Sequence, residues 1–168
     1  MSKKIDIYKN QKNKLKIENP KKVSVIIPNY NYANYIIERI DSILMQTYPI
    51  YELIILDDCS TDNSVQVINE KIEKIKNEHP EIKVKFIVNE KNSGGCVFKQ
   101  WKKGFDIATG EFVWIAEADD SAENNFVEEL IKPFDDPEMV LSYCESAKID
   151  GENNLIRSRC DDWYDMCR

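Results

Sequence analysis

Three carboxylates crowd the end of one apolar run: Trp-Ile-Ala-Glu-Ala-Asp-Asp-Ser over 114–121 places Glu117, Asp119 and Asp120 within four residues. A second acidic run, Asp57-Asp58-Cys59-Ser60-Thr61-Asp62, closes another apolar stretch. Carboxylates spaced this way either decorate ordinary turns or hold a hard cation such as Mg²⁺ or Mn²⁺. Such a cation needs only one or two protein carboxylates when phosphate oxygens supply its remaining ligands. Spacing alone leaves both readings open. The second run is not an EF-hand loop, because neither a start at Asp57 nor one at Asp58 puts Gly sixth or Glu twelfth. No G-x-x-x-x-G-K-[ST] or G-x-G-x-x-G is present, so neither a P-loop nor a dinucleotide fingerprint accounts for the acids.

The elements that must position these groups alternate along the chain. Val23–Ile27 is β-branched and reads as a buried strand, closed by Pro28, whose fixed φ and missing donor end a ladder. A polar-aromatic loop, Asn29 to Tyr32, leads to an amphipathic helix over about 33–45 carrying Ile36, Ile37, Ile40, Ile43 and Leu44. Glu52–Leu56 is a second strand, and Asp62 is placed to cap a helix with Val65, Ile68, Ile72 and Ile75 on one face. A third strand spans Lys83–Val88. After a loop containing Gly94-Gly95, a third helix carries Val97, Phe98, Trp101, Phe105 and Ala108, with Gly110 as its stop. Glu111–Ala116 is the fourth strand and delivers the first acidic run. A helix over about 124–131 ends at Pro133, and Met139–Tyr143 reads as a fifth strand. Beyond Gly151 the pattern weakens, and there is no internal repeat.

This alternation predicts an α/β fold, a mainly parallel sheet with helices on both faces. Parallel strands present their C-terminal ends on one edge, where open α/β sheets bind ligands. Four loops therefore share that edge, over 28–32, 57–62, 89–95 and 117–121, and their convergence favours a site over scattered turns.

The 168 residues suit one domain with at most a short extension. Apolar runs of five or six residues fall far below the roughly 20 needed to cross a bilayer, and no secretory signal is read at the start. The net charge of −7 is uneven: residues 1–22 hold eight Lys against Asp6 and Glu18, leaving −13 for the rest. So acidic a body argues against nucleic-acid backbone binding, and it would need a metal ion to mediate the charge of a polyphosphate. The basic leader reads as a solvated linker, although its charge also suits an acidic membrane surface. Cys59, Cys96, Cys144, Cys160 and Cys167 are odd in number and form no C-x-x-C, which points to free thiols in a reducing cytoplasm. His79, the only histidine, receives no role. Lys99, Lys102 and Lys103 read as a solvated helix face, and Trp101 and Trp114 as core.

Three blocks carry a family resemblance. Val-Ser-Val-Ile-Ile-Pro-Asn-Tyr-Asn (23–31), Glu-Leu-Ile-Ile-Leu-Asp-Asp-Cys-Ser-Thr-Asp (52–62) and Gly-Glu-Phe-Val-Trp-Ile-Ala-Glu-Ala-Asp-Asp (110–120) occur in order. With the Asn-Ser-Gly-Gly loop before Cys96, they resemble the donor-binding part of a family 2 glycosyltransferase. The resemblance implies a Rossmann-like GT-A fold and a nucleotide-diphosphate sugar donor, a UDP-sugar being favoured. It implies inverting, metal-assisted transfer to the hydroxyl of a glycan or lipid-linked acceptor in polysaccharide synthesis. Pro28 and Tyr30 would shape the base pocket, Asp58 would hydrogen-bond the base, and Asp57 would support that loop. Asp119 and Asp120 would contact ribose, diphosphate or a divalent cation, Mn²⁺ or Mg²⁺. Glu117 stands where the family often has Asp, and Cys59 where it commonly has Gly.

The expected organisation is a lead-in over 1–22, a nucleotide-sugar-binding domain over 23–150, and the start of an acceptor-side region over 151–168. A cytoplasmic location, with peripheral contact at the inner membrane face, fits the leader. No catalytic base can be placed: Asp161, Asp162 and Asp165 match no motif, so the chain reads as a donor-binding segment of a longer enzyme. A non-catalytic nucleotide or metal-binding module is the alternative. A phosphoacceptor receiver domain fits poorly, since its acid pair should follow the first strand, where Pro28 stands, and Ser142–Ser146 offers no lysine.

Overall fold

A computed structural model describes residues 14–158. In chain order the elements are β1 (Val23–Asn29), α1 (Ile36–Leu44), β2 (Glu52–Asp57), α2 (Ser64–Glu78), β3 (Lys83–Val88), α3 (Val97–Ile107), β4 (Phe112–Ile115), α4 (Phe126–Ile131), β5 (Lys148–Ile149) and β6 (Leu155–Arg157). The first four strands form one parallel sheet in the order β3-β2-β1-β4, and β5 and β6 form a separate antiparallel hairpin.

Strand periodicity divides the core in two. Val23, Val25, Ile27, Leu53 and Ile55 face the apolar stripes of α1 and α2, together with Val127 of α4. The alternate residues Ile26, Ile54 and Leu56 face the other way, packed by Ile107 and Ala108 at the end of α3. Helices therefore lie on both faces of the sheet. The crossovers through α1 and α2 step outward from β1, whereas the one through α3 returns across the sheet to β4. Right-handed connections send α3 to the opposite face for that reason. The strand order consequently reverses between β1 and β4, and the crevice at that switch point is where open α/β sheets seat ligands.

Several boundaries differ from the sequence expectation, each for a local reason. β1 continues through Pro28 to Asn29. Even-numbered residues of β1 point their backbone groups toward β4, as when Ile26 O accepts Ala116 N–H at 2.8 Å. That pairing ends there, so the missing N–H of Pro28 costs no ladder bond. α1 begins at Ile36, three residues late, after a turn in which Tyr32 O accepts from both Tyr35 and Ile36 N–H. Asn63 takes the cap position of α2, and Asp62 lies one residue before it, its Oδ1 accepting Ser64 N–H at 2.9 Å. Gly110 is not the stop of α3, which ends at Ile107 with Ala108 as its C-cap. A Cβ at 110 would lie 2.7 Å from Lys22 O, so close backbone approach is what requires glycine there. Pro133 opens a short 3-10 turn over Lys132–Asp135 that extends α4.

The fifth strand expected over Met139–Tyr143 does not form. Those residues join no strand ladder, and Val140 is 90% exposed. The hairpin β5–β6 straddles Gly151, the expected start of the last region, and Asp150 organises its turn by accepting Glu152 and Asn154 N–H. Most of the basic leader, Cys160, Cys167 and the acids at 161, 162 and 165 lie outside the described residues.

Candidate functional site

The two central loops of the C-terminal edge are stitched together by side chains. Asp57 is fully buried. Its Oδ2 accepts Asn29 Nδ2 at 2.7 Å and Ser60 Oγ at 2.6 Å, and its Oδ1 accepts Ser60 N–H at 2.8 Å. Asn31 turns left-handed at φ +58° and accepts Thr61 N–H at 2.7 Å, while Asp62 accepts Ala33 N–H at 3.0 Å. Asn tolerates that backbone region. Cys59, at φ +64°, does so at a cost, and this is the position where glycine would be unstrained.

Asp58 joins this pair of loops to the next. It is 5% exposed, and its carboxylate accepts Asn89 Nδ2 at 2.7 Å, Gln100 Nε2 at 2.7 Å, Ser93 Oγ at 2.6 Å and Ser93 N–H at 3.0 Å. Burial pushes its pKa up, but these hydrogen bonds and the charge of Lys103 outweigh burial and leave it below the usual carboxylate range. Lys103 bonds Asn89 Oδ1 and Lys99 bonds Ser93 O, so both brace the 89–95 loop, while Lys102 pairs with Asp106 on the outer face of α3. Gly94 and Gly95 supply the left-handed turns of that loop, at φ +81° and +75°.

The β4 loop distributes its three carboxylates differently. Glu117 turns toward α3, where its Oε1 accepts Trp101 Nε1–H at 2.8 Å. Burial raises its pKa, and the neighbouring Asp119 and Asp120 add to the rise. Asp119 and Asp120 are exposed on the α1 side. Asp120 is also raised, first by burial of its carboxylate and then by Asp119, with Arg39 opposing. The charge of Asp119 faces the Tyr32 hydroxyl and pushes that phenol up.

Asp119 and Asp120, but not Glu117, line a cleft of about 260 Å³ at the switch point, whose walls include Tyr32, Tyr35, Glu38 and Asn153. Asn153 Nδ2 donates to Glu38 Oε1 at 2.9 Å, which docks the hairpin on α1 and closes one side. Small-molecule sites span roughly 300–1,000 Å³, so the cleft has room for only part of a nucleotide sugar. Pro28, Tyr30, Asp57 and Asp58 do not line it: Pro28 is buried in β1, and Tyr30 is exposed on the same edge, beside the Asp57–Asp62 loop.

Arg39 escaped the sequence reading. It is 3% exposed, its guanidinium lies 4.9 Å over the Trp114 ring, and its Nε and Nη1 have no hydrogen-bond partner. Burial lowers it to about 10, against the pull of Asp120, Glu117 and Asp119. The signal was available: position 39 lies three residues after Ile36 and four before Ile43, so the apolar stripe of the helix contains an arginine.

No group of three or more His, Cys, Asp or Glu able to hold a metal ion exists among the described residues. Two exposed, adjacent carboxylates fit a different arrangement, in which a hard cation is shared with ligand phosphates rather than caged by protein.

The family model described as Glycosyl transferase family 2 matches residues 24–165. An uncharacterised glycosyltransferase of Nostoc sp. is 36% identical over 135 residues, covering 80% of this chain and 39% of the relative. Residues 1–349 of TarS from Staphylococcus aureus, solved in complex with UDP, superpose with a TM-score of 0.57 at 33% identity, covering 68% of this chain and 32% of that one. A mannosyltransferase from Pyrobaculum calidifontis, in complex with GDP-Man and Mn²⁺, gives a TM-score of 0.61 at 28% identity over 70% of this chain and 33% of that one. The chain thus spans well under half the length of these relatives.

Proposed function

The chain belongs to glycosyl transferase family 2, with the Rossmann-like GT-A fold, and from that premise we propose that it binds the donor in a nucleotide-sugar-dependent glycosyl transfer. The donor is a nucleotide-diphosphate sugar, with UDP-sugars favoured, and the acceptor is a hydroxyl of a glycan or lipid-linked molecule. In the transfer, the acceptor oxygen bonds the anomeric carbon with inversion while the bond from that carbon to the diphosphate breaks. The nucleotide diphosphate leaves, and the acceptor proton passes to a base.

The observation that carries this reading is the placement of Asp119 and Asp120, exposed and adjacent, in the switch-point cleft beside Tyr32. A divalent cation, Mn²⁺ or Mg²⁺, held there would offset charge developing on the leaving diphosphate. Asp119 and Asp120 would be its protein ligands, and Asp119 would also contact the ribose. Tyr30 presents an exposed ring just after β1 on which a base would stack, and the buried Pro28 before it would help shape that pocket. Asp58 is the base-recognition carboxylate of the proposal. Since its oxygens already bind Asn89, Ser93 and Gln100, a base joins or displaces part of that network. Asp57 holds the loop in shape. The complexes of TarS with UDP and of the Pyrobaculum enzyme with GDP-Man and Mn²⁺ support the same donor chemistry.

Among the described residues no helix is long and apolar enough to cross a membrane. A cytoplasmic site of action in polysaccharide synthesis, with the basic leader touching the inner membrane face, completes the proposal.

Calorimetric titration with UDP, then GDP, with and without Mn²⁺, tests it. The expected result is binding strengthened by Mn²⁺ and reduced to the metal-free level in Asp119→Ala/Asp120→Ala. Binding that ignores both the metal and the double substitution would refute the metal-diphosphate assignment.

A further inference from the structure

The units of a nucleotide sugar come in a fixed order: base, ribose, diphosphate, sugar. Base recognition falls to Pro28, Tyr30 and Asp58, none of which lines the cleft. The diphosphate falls to Asp119 and Asp120, which do. The next unit of the donor therefore meets what remains of the cleft. That is a wall made by Tyr35 and Glu38 at the start of α1 and by Asp150, Gly151 and Asn153 of the β5–β6 turn.

The wall is held in shape by its own bonds. Asn153 turns left-handed at φ +61° and donates to Glu38 Oε1 at 2.9 Å, while Gly151 comes down beside the Tyr35 hydroxyl. Asp150 spends its oxygens inside the turn, accepting Glu152 N–H at 2.9 Å and Asn154 N–H at 2.8 Å. Among the described residues no donor reaches Glu38 Oε2, and the Tyr35 ring is 41% exposed. One aromatic face beside a few fixed polar groups suits a small polar ring: the C–H face of a pyranose covers the phenol, and its hydroxyls bond the carboxylate and amide.

Charge narrows the ligand further. Glu38, Asp119, Asp120 and Asp150 all line the cleft, and none of its described lining residues is Lys, Arg or His. Lys148 and Arg157 face each other across β5 and β6 without joining the lining. A divalent cation would offset Asp119 and Asp120, whereas Glu38 and Asp150 keep a repulsive field over the sugar.

We propose that this wall is the subsite of the transferred sugar and that it selects an uncharged hexose, with Glu38 and Asp150 turning away a hexuronate. The proposal rests on the donor reading above and adds the class of sugar.

Calorimetry of the chain with Mn²⁺ and UDP, UDP-glucose or UDP-glucuronate tests it. The two sugar nucleotides differ only at C6, a hydroxymethyl group against a carboxylate. UDP-glucose should bind about tenfold more tightly, the scale of one unit-charge repulsion across several ångströms of partly solvated cleft. Glu38→Gln, whose amide oxygen can still accept from Asn153, should cut the gap to about threefold by tightening UDP-glucuronate, with UDP unchanged. Raising the ionic strength to about 1 M, where screening acts within roughly 3 Å, should also shrink the wild-type gap.

Equal affinities for the two donors would overturn the proposal and leave the wall to the acceptor, whose hydroxyl-bearing ring has the same chemistry. A gap that survives both Glu38→Gln and high salt overturns it as well, since shape and not charge would then discriminate. Should Glu38→Gln fail to fold, the salt dependence decides. In each of these cases UDP still binds and the donor reading stands. A chain that binds neither UDP nor GDP would instead lose the donor reading, and the sugar subsite with it.

Discussion

At position 59 the backbone enters the left-handed region with a side chain that disfavours it, and the surrounding bonds explain why the loop keeps that shape. Asp57 grips Ser60 from one side, and Asn31 grips Thr61 from the other. Between them φ of Cys59 has little freedom. A non-glycine residue there costs roughly 1–2 kcal/mol, and the Cys59 thiol recovers little of it through its weak 3.9 Å hydrogen bond to Glu90 O. Cys59→Gly should therefore stabilise the chain by about 1 kcal/mol, the strain relieved being partly offset by the entropy of a more flexible unfolded chain. Urea denaturation followed by circular dichroism measures this, and a variant less stable than wild type would show that the loop is not strained. Residue types told the sequence reader which positions were acidic, but not where each acid would spend its hydrogen bonds. Asp57 and Asp58 are adjacent and chemically identical, yet strand alternation turns one toward Asn29 and Ser60 and the other toward Asn89, Ser93 and Gln100.

Elements were legible where one strong pattern set them and obscure where a neighbour did. The central strands β1 and β2 announced themselves as apolar runs because both of their faces are covered. Met139–Tyr143 has a similar composition but no partner strand, and an apolar run does not make a strand without a ladder. Within β2 the sequence also hides a buried charge. Glu52 opens the strand fully buried on the α3 face, accepting from Ser24 Oγ at 2.7 Å and Thr109 N–H at 2.8 Å, and pairing with Lys85 at 2.7 Å. Burial raises its pKa, but the bonds from Lys85, Ser24 and Thr109 win and lower it. A depressed folded pKa means stabilisation that is present above the unfolded value of about 4.3 and is lost as pH falls through the folded one. Lys85 is partly exposed and can turn to water, so the hydrogen bonds to the charge set the scale. Glu52→Gln should cost about 2 kcal/mol at pH 7, and the gap from wild type should close as pH drops below about 4. Denaturant midpoints of both proteins across pH 3–7 give the comparison, and a gap independent of pH would mean that the charge contributes nothing.

For the whole molecule, alternation implied a parallel sheet, whereas strand order is a property of the crossovers and no single segment encodes it. Once the order β3-β2-β1-β4 is known, the stability hierarchy follows. β1 and β2 are paired on both sides and buried along their whole lengths, so their amides open only with the entire domain. β3 pairs on one edge and is half-exposed, and β4 pairs over only four residues. Residues 139–147 form no strand or helix, and the β5–β6 hairpin reaches α1 through Asn153–Glu38 and the approach of Gly151 to Tyr35. Hydrogen exchange read by mass spectrometry should therefore find β1 and β2 slowest, β3 and β4 intermediate, and 139–157 fastest. Adding UDP with Mn²⁺ should protect the loops after β1 and β4, over 29–35 and 116–122, because those loops flank the crevice where strand order reverses. The sheet interior is already at the global limit and has little protection to gain. Protection appearing instead along the outer face of α3 would move the ligand to the other side of the sheet, away from Asp119 and Asp120, and the switch-point site would have to be abandoned.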